Sequence, residues 1–276
     1  MIEKNILIRR IICTAVSFIL SVCLFAVSMC ATLCIACSKE YVSAVGDKSR
    51  YAKLSFESLT TELEDLTIPS GLPIDFFDGK LDEKLYSNRV FEALNANVDA
   101  TSLSYSTEQI TEEFHAIAME YANSQLESVS EETSTALRGF AAECSSIYIK
   151  YANPSSVKYV LTHLKPIRKP LLLATATVVV LCSAAAVLLI FLCRRKDLSK
   201  HLMFAFSGAA LMSGVLPTLL LLTGEIKRIS LTSPALHSLA ATYIEGILLL
   251  LLIFAAVLLI PAVVLAAVKL VALKKK

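Results

Sequence analysis

Two cysteines three positions apart, Cys34 and Cys37, have the residue type and spacing in this chain that are most typical of chemistry. A C-x-x-C pair can cycle between dithiol and disulfide when one thiol is held as the reactive thiolate. A thiolate is stabilised at the N-terminal end of a helix, whereas this pair follows a long apolar segment and falls near a C-terminal end. The sequence therefore favours a packing role and leaves a membrane thiol-disulfide oxidoreductase using Cys34 and Cys37 as an alternative.

Histidines and carboxylates form no recognisable site in the sequence. The four histidines are scattered, without metal-binding spacing: His115, His163, His201 and His237. His115 falls opposite the apolar stripe of its segment, which predicts a solvated side chain. Acidic clusters at 62–65 and 131–132 are typical of exposed helix faces. We therefore nominate no catalytic, cofactor-binding or metal-ligating residue, and we expect neither a cofactor nor an enzyme.

The chain is unusually apolar, with a mean hydropathy of +0.65. Long apolar segments must therefore position any functional side chains that it has. Four segments without a charged residue stand out: 11–37, 171–193, 202–224 and 246–268. Each exceeds the roughly 20 residues that cross about 30 Å of hydrocarbon. The first is too long for the core of a secretory signal peptide, so we expect it to stay in the protein as a span. Ala36 before Cys37 also resembles a lipoprotein cleavage site, which leaves lipidation of Cys37 as a further alternative.

Charge is divided between the segments that connect these spans. Residues 1–10, 194–201 and 269–276 together carry 11 Lys or Arg and two acidic residues, whereas 38–169 carries 13 Lys or Arg and 20 acidic residues. Basic short loops face the cytoplasm. We expect a cytoplasmic N-terminus, a cytoplasmic loop at 194–201, a short outer loop at 225–245 and a cytoplasmic basic tail. The block 38–169 is then an extracytoplasmic domain.

The block 38–169 shows helical periodicity and no strand pattern. A stripe from Ala52 to Leu66 predicts a helix that continues from the first span as a stalk and ends near Gly71. Four further helix starts are predicted from their capping residues: Asp82, Ser106 with Gln109, Ser128 with Glu131, and Asn153 before Pro154. The predicted fold class is an all-α membrane protein with four transmembrane helices and a helical extracytoplasmic domain between spans 1 and 2.

Small residues in the first and third spans predict close helix contacts. Four cysteines of the first span share one helix face: Cys23, Cys30, Cys34 and Cys37. In the third span, Ala209 and Ser213, like Ala210 and Gly214, are four apart and let a neighbouring backbone approach. None of the four spans contains an ionisable side chain, so active transport by this chain alone is not expected.

The turn Gly71-Leu72-Pro73 and the Tyr51 helix before it resemble features of an uncharacterised group of Gram-positive bacterial multi-span membrane proteins. In that group a first span is followed by a tyrosine-bearing helix and then by a Gly-Leu-Pro turn that leads into a second helix. The resemblance implies a bacterial origin and this topology, with no activity attached. It covers roughly the first half of the chain.

The favoured function is that of an envelope accessory, sensor or scaffold protein acting through its outer helical domain. Its expected surroundings are the cell membrane, crossed several times with both termini cytoplasmic, and its expected partners are the lipid bilayer and another envelope or membrane protein. Nucleic acid is not an expected partner. Besides the oxidoreductase, a non-catalytic subunit of a membrane transport complex remains an alternative.

Overall fold

The computed structural model describes residues 2–126, 128–193, 195–231 and 233–274, without the side chains of 2–7, 195–196 and 272–274. Arg194, Lys275 and Lys276 lie outside the described residues, so the predicted basic loop and basic tail are described only in part. Within the described ranges the chain is helical and contains no strand. The helices are α1 (Ile2–Ala36), α2 (Lys39–Lys48), α3 (Tyr51–Thr67), α4 (Glu83–Asp99), α5 (Thr107–Gln125), α6 (Glu131–Ala152), α7 (Ser155–Thr162), α8 (Leu164–Leu192), α9 (Arg195–Thr223) and α10 (Pro234–Lys274), with short 3-10 helices at Ile74–Phe77 and Glu225–Arg228.

The four expected membrane-crossing helices are present. The stretches long and apolar enough to cross a membrane are Ile8–Ala36, Ser155–Leu192, Asp197–Thr223 and Pro234–Val271. Each contains most or all of one predicted span. Two prolines, Pro217 and Pro261, lie inside α9 and α10, which both continue past them. Neighbouring helices in a membrane can compensate the backbone groups that proline frees, so these positions are compatible with spans.

The chain divides into two compact units. The membrane unit comprises the residues up to Cys37, Pro166–Ile229, and the residues from Tyr243 onward, and the polar unit comprises Ser38–Lys165 and Ser230–Thr242. The second segment of the polar unit comes from the predicted short outer loop. Its Ser238 donates a hydrogen bond from Oγ to the backbone oxygen of Ser49, at 2.8 Å.

The polar unit is held together by aromatic side chains that meet edge to face. Phe76, in the 3-10 helix after α3, lies with its ring centroid 5.2 Å from Tyr121 of α5 and 6.1 Å from Phe140 of α6. Phe77 meets Phe114 in the same way, at 5.9 Å. Such pairs contribute about 0.5 to 1.5 kcal/mol each beyond the burial of their area. The short apolar segment after α3 therefore fixes α5 against α6.

Two of the predicted helix starts are confirmed by the observed caps. The carboxylate of Asp82 accepts hydrogen bonds from the backbone N–H groups of Lys84 and Leu85, and the hydroxyl of Ser106 accepts one from that of Gln109. A cap of this kind stabilises a helix by about 1 kcal/mol because it satisfies amides that have no partner within the helix.

Three predictions about local structure are wrong. The helix does not continue past Cys37 as a stalk, because Ser38 caps a new helix and Arg50 adopts a left-handed conformation with φ of 54° between α2 and α3. The cap of α6 is Ser130 rather than Ser128. Pro154, not Asn153, is the N-cap of α7. The side chain of Asn153 instead accepts a hydrogen bond from Asn97 at 2.8 Å.

Candidate functional site

Cys34 and Cys37 lie where the sequence places them, at the C-terminal end of α1. Cys34 is half-buried and its Sγ is 3.7 Å from the hydroxyl of Thr175 in α8, while Cys37 is buried. The last carbonyl of the helix, that of Ala36, accepts a hydrogen bond from the Tyr243 hydroxyl of α10 at 2.8 Å. Carbonyl groups at this helix end disfavour a thiolate. The geometry therefore fits helix packing better than disulfide exchange.

A face of α1 that carries hydroxyl groups packs against α9. Ser17 donates from Oγ to the backbone oxygen of His201 at 2.6 Å, and the hydroxyls of Ser28 and Ser213 are 2.9 Å apart. Ala209 is fully buried, and a Cβ added at Gly208 would lie 2.5 Å from the Oγ of Ser21. The prediction of close contact by the small residues of the third span is confirmed: Ser213 meets α1, and a Cβ added at Gly214 would lie 3.3 Å from the Cβ of Ala255 in α10.

Three potential metal ligands from distant parts of the sequence come together in the membrane unit. Cys13 of α1, Cys193 after the end of α8 and His201 of α9 place their ligand atoms within 4.8 Å of one another. Both cysteines are buried, and neither forms a disulfide. His201 is half-buried. Two thiols and one imidazole form a typical ligand set for a transition-metal ion.

These three residues do not stand out as a site in the sequence, because about 180 positions separate Cys13 from the other two. One signal could have found them. Cys13 lies near the start of the first predicted span, Cys193 ends the second, and His201 directly precedes the third. In an up-and-down arrangement of spans, those three positions belong to the same membrane face.

In the polar unit, the charged side chain of Arg89 is buried and makes hydrogen bonds and ring contacts with several neighbours. The Arg89 guanidinium of α4 donates two hydrogen bonds to the Glu113 carboxylate of α5, at 2.8 and 2.5 Å, and a longer one to the Tyr148 hydroxyl at 3.4 Å. The guanidinium carbon of Arg89, Cζ, also lies 5.5 Å from the centroid of the Tyr105 ring. Hydrogen bonds from Arg89 to Glu113 raise the arginine pKa. Arg89 is therefore a fixed cation that links three helices.

Other polar groups in this core are tied to structure in the same way. The hydroxyl of Tyr86 lies 2.8 Å from that of Ser55, which donates to the backbone oxygen of Tyr151. Burial raises the pKa of Tyr86, so its phenol stays protonated at neutral pH. Hydrogen bonds from Lys150 and Tyr151 hold the pKa of Glu62 below its ordinary value. Such pairings fit a stable bundle and supply no free acid or base.

The remaining sequence candidates stay apart from one another in the polar unit. Glu131 and Glu132 are exposed in the first turn of α6, as predicted. His115 is half-buried rather than solvated, because it follows Phe114 on the side of α5 that turns toward the core. Its Nε2 is buried and has no hydrogen-bond partner among the described residues, and its Nδ1 lies 3.9 Å from Glu112.

Comparison of the chain with known protein families, with curated proteins and with solved structures found no match.

Proposed function

We propose that this chain is an accessory, sensor or scaffold protein of the cell envelope, which crosses the cell membrane four times and acts through its polar unit. In this proposal both termini are cytoplasmic and residues 38–169 face the outside. The acidic excess of that block and the basic short loops support the orientation. The resemblance to Gram-positive multi-span proteins supports a bacterial envelope.

The observation that carries the proposal is the exposure of two isoleucine side chains on either side of one turn of the polar unit. Ile68 and Ile74 are 62% and 64% exposed, and they flank the turn: Ile68 is the C-cap of α3 and Ile74 begins the 3-10 helix that follows. That turn is held rigidly, because the N–H of Gly71 donates to the Ile68 carbonyl and Phe76 is locked in the core. A rigid turn with two exposed isoleucines is suited to contact with another protein of the envelope.

Photo-crosslinking in intact cells tests this contact. A photoreactive amino acid at Ile68 or Ile74 is expected to give a discrete adduct with a second membrane or envelope protein. Matched positions at Glu57 and Thr135, exposed on α3 and α6, are expected to give none. If all four positions behave alike, with or without adducts, the turn is not the contact surface.

Orientation is tested separately with single added cysteines at Ser102, exposed in the polar unit, and at Ser199 in α9. A membrane-impermeant maleimide is expected to label the Ser102 position in intact cells and the Ser199 position only after the membrane is opened. The reverse order would overturn the proposed topology without bearing on the crosslinking result.

A further inference from the structure

We propose that Cys13, Cys193 and His201 bind a zinc ion in the membrane unit. The proposal rests on the geometry of these three residues and is independent of the function proposed for the polar unit. Their ligand atoms lie within 4.8 Å of one another. In a tetrahedral site with Zn–S bonds of about 2.3 Å, two sulfur ligands are separated by about 3.8 Å. Side-chain movements of an ångström or less therefore bring the three groups into coordination distance.

The backbone around the three ligands is fixed by neighbouring hydrogen bonds. Ser17 of α1, one turn after Cys13, donates to the backbone oxygen of His201 itself at 2.6 Å. Arg9, one turn before Cys13, donates to the backbone oxygen of Leu192, the residue before Cys193, at 2.5 Å. These bonds join α1 to the end of α8 and to the start of α9. A site with supported ligands is organised before the ion binds.

Charge balance favours Zn²⁺ in these surroundings. The cysteines belong to an apolar cluster that also contains Leu20, Leu189 and Ala205. Binding of Zn²⁺ by two thiols and a neutral imidazole releases two protons and leaves two thiolates whose charges cancel that of the ion. A neutral complex can be buried at low cost, whereas Cu⁺ with the same ligands would leave a net negative charge in the apolar cluster. Soft sulfur ligands in turn disfavour Mg²⁺ and Ca²⁺.

The site has a free coordination position, and residues next to the two cysteines line a surface groove. Three protein ligands leave the fourth tetrahedral position for water, as in zinc sites that keep an open position. The residues directly before the two cysteines, Ile12 and Leu192, line a shallow surface groove together with Ile8, Arg9 and Phe191. The nearby carboxylate of Asp197 is not among the three ligands, and its Oδ1 lies 3.2 Å from the Nζ of Lys200, with which it forms an ion pair.

Metal analysis of the full-length protein, purified in detergent and loaded with Zn²⁺, tests the proposal. We expect about one zinc per chain after gel filtration. Each of the variants Cys13→Ser, Cys193→Ser and His201→Gln is expected to weaken zinc binding at least about tenfold. Matched controls are Cys30→Ser, on α1 outside the cluster, and His163→Gln in the polar unit, both of which are expected to retain the ion.

Cobalt provides a second measurement that does not depend on variants. Co²⁺ bound by the wild-type protein is expected to give a thiolate-to-cobalt charge-transfer band in the near ultraviolet, which added Zn²⁺ abolishes. The proposal is overturned if the wild-type protein gives no such band or holds far less than one zinc, or if the control variants lose zinc as fully as the site variants. Recovery of a Cys13–Cys193 disulfide from protein kept under reducing conditions would also overturn it.

Discussion

Removal of the carboxylate that pairs with Arg89 is expected to destabilise the polar unit strongly. The Arg89 side chain is only 9% exposed, and Glu113 accepts both of its short hydrogen bonds. Breaking a buried ion pair costs about 3 to 5 kcal/mol, because a buried charge loses its partner. Glu113 is 40% exposed, so water already screens the pair, and we reduce the expected cost of Glu113→Ala to about 2 kcal/mol.

The thiol of Cys144 reports this change directly. Cys144 is fully buried in α6 and is the single cysteine of residues 38–165. Its alkylation requires the bundle to open, and the rate follows the population of the open form when closing is fast. A loss of about 2 kcal/mol therefore accelerates alkylation roughly 30-fold, since 1.4 kcal/mol corresponds to a factor of ten. Peptide mass spectrometry separates this cysteine from those of the membrane unit.

The neighbouring residue Glu112 provides the matched control. It forms an ion pair with Arg138 at 2.8 Å, but the two side chains are 58% and 68% exposed. An exposed pair contributes about 0.5 kcal/mol or less, so Glu112→Ala is expected to accelerate alkylation about twofold at most. Equal acceleration by Glu113→Ala and Glu112→Ala would refute the reasoning, because burial would then not decide the cost.

Two further substitutions probe the two units. Because Lys150 holds the pKa of Glu62 low, this carboxylate stabilises the polar unit at neutral pH, and that stability is lost as the pH falls through the folded-state pKa. Glu62→Gln is therefore expected to lower the urea midpoint at pH 7 and to flatten its decline in acid, and an unchanged pH profile would contradict this. In the membrane unit, Gly208→Leu drives a side chain into Ser21 and is expected to cost about 1 to 3 kcal/mol, seen as a melting temperature several degrees lower in detergent. Gly139→Leu, with no atom within 4 Å of an added Cβ, is the control, and an equal drop in both variants would contradict the close approach.

Features that depend on a few neighbouring residues were predictable from the sequence. Asp82 and Ser106 cap the helices assigned to them because a cap and the amides that it satisfies lie within three residues. The four apolar stretches follow from the free energy of transfer of about 20 residues into hydrocarbon. Where two candidates compete, the local signal is insufficient, and Ser130 rather than Ser128 caps α6.

Features that depend on contacts between distant segments were not predictable. The buried face of α6 includes the polar residues Ser145 and Tyr148 beside Cys144, whereas the apolar residue Ile147 is only half-buried. Tyr148 is buried because two residues of α4 contact it: Arg89 donates a hydrogen bond to its hydroxyl, and the ring of Tyr86 packs edge to face against its ring. The cluster of Cys13 with Cys193 depends equally on which helices become neighbours. Periodicity identifies the face of a helix but not the partner that covers it.

Synthesis from the N-terminus delivers α1 to the bilayer long before α9 exists. Until then the hydroxyl of Ser28 has only the carbonyl of Phe25 within its own helix, and the contact with Ser213 is still missing. If the four apolar helices insert in order, the first span is held in lipid or beside the insertion machinery while the hydroxyl of Ser28 lacks its partner from α9. The third span completes the assembly of the first, so a ribosome stalled before α9 leaves a nascent chain that the cell's quality control can recognise as unfinished.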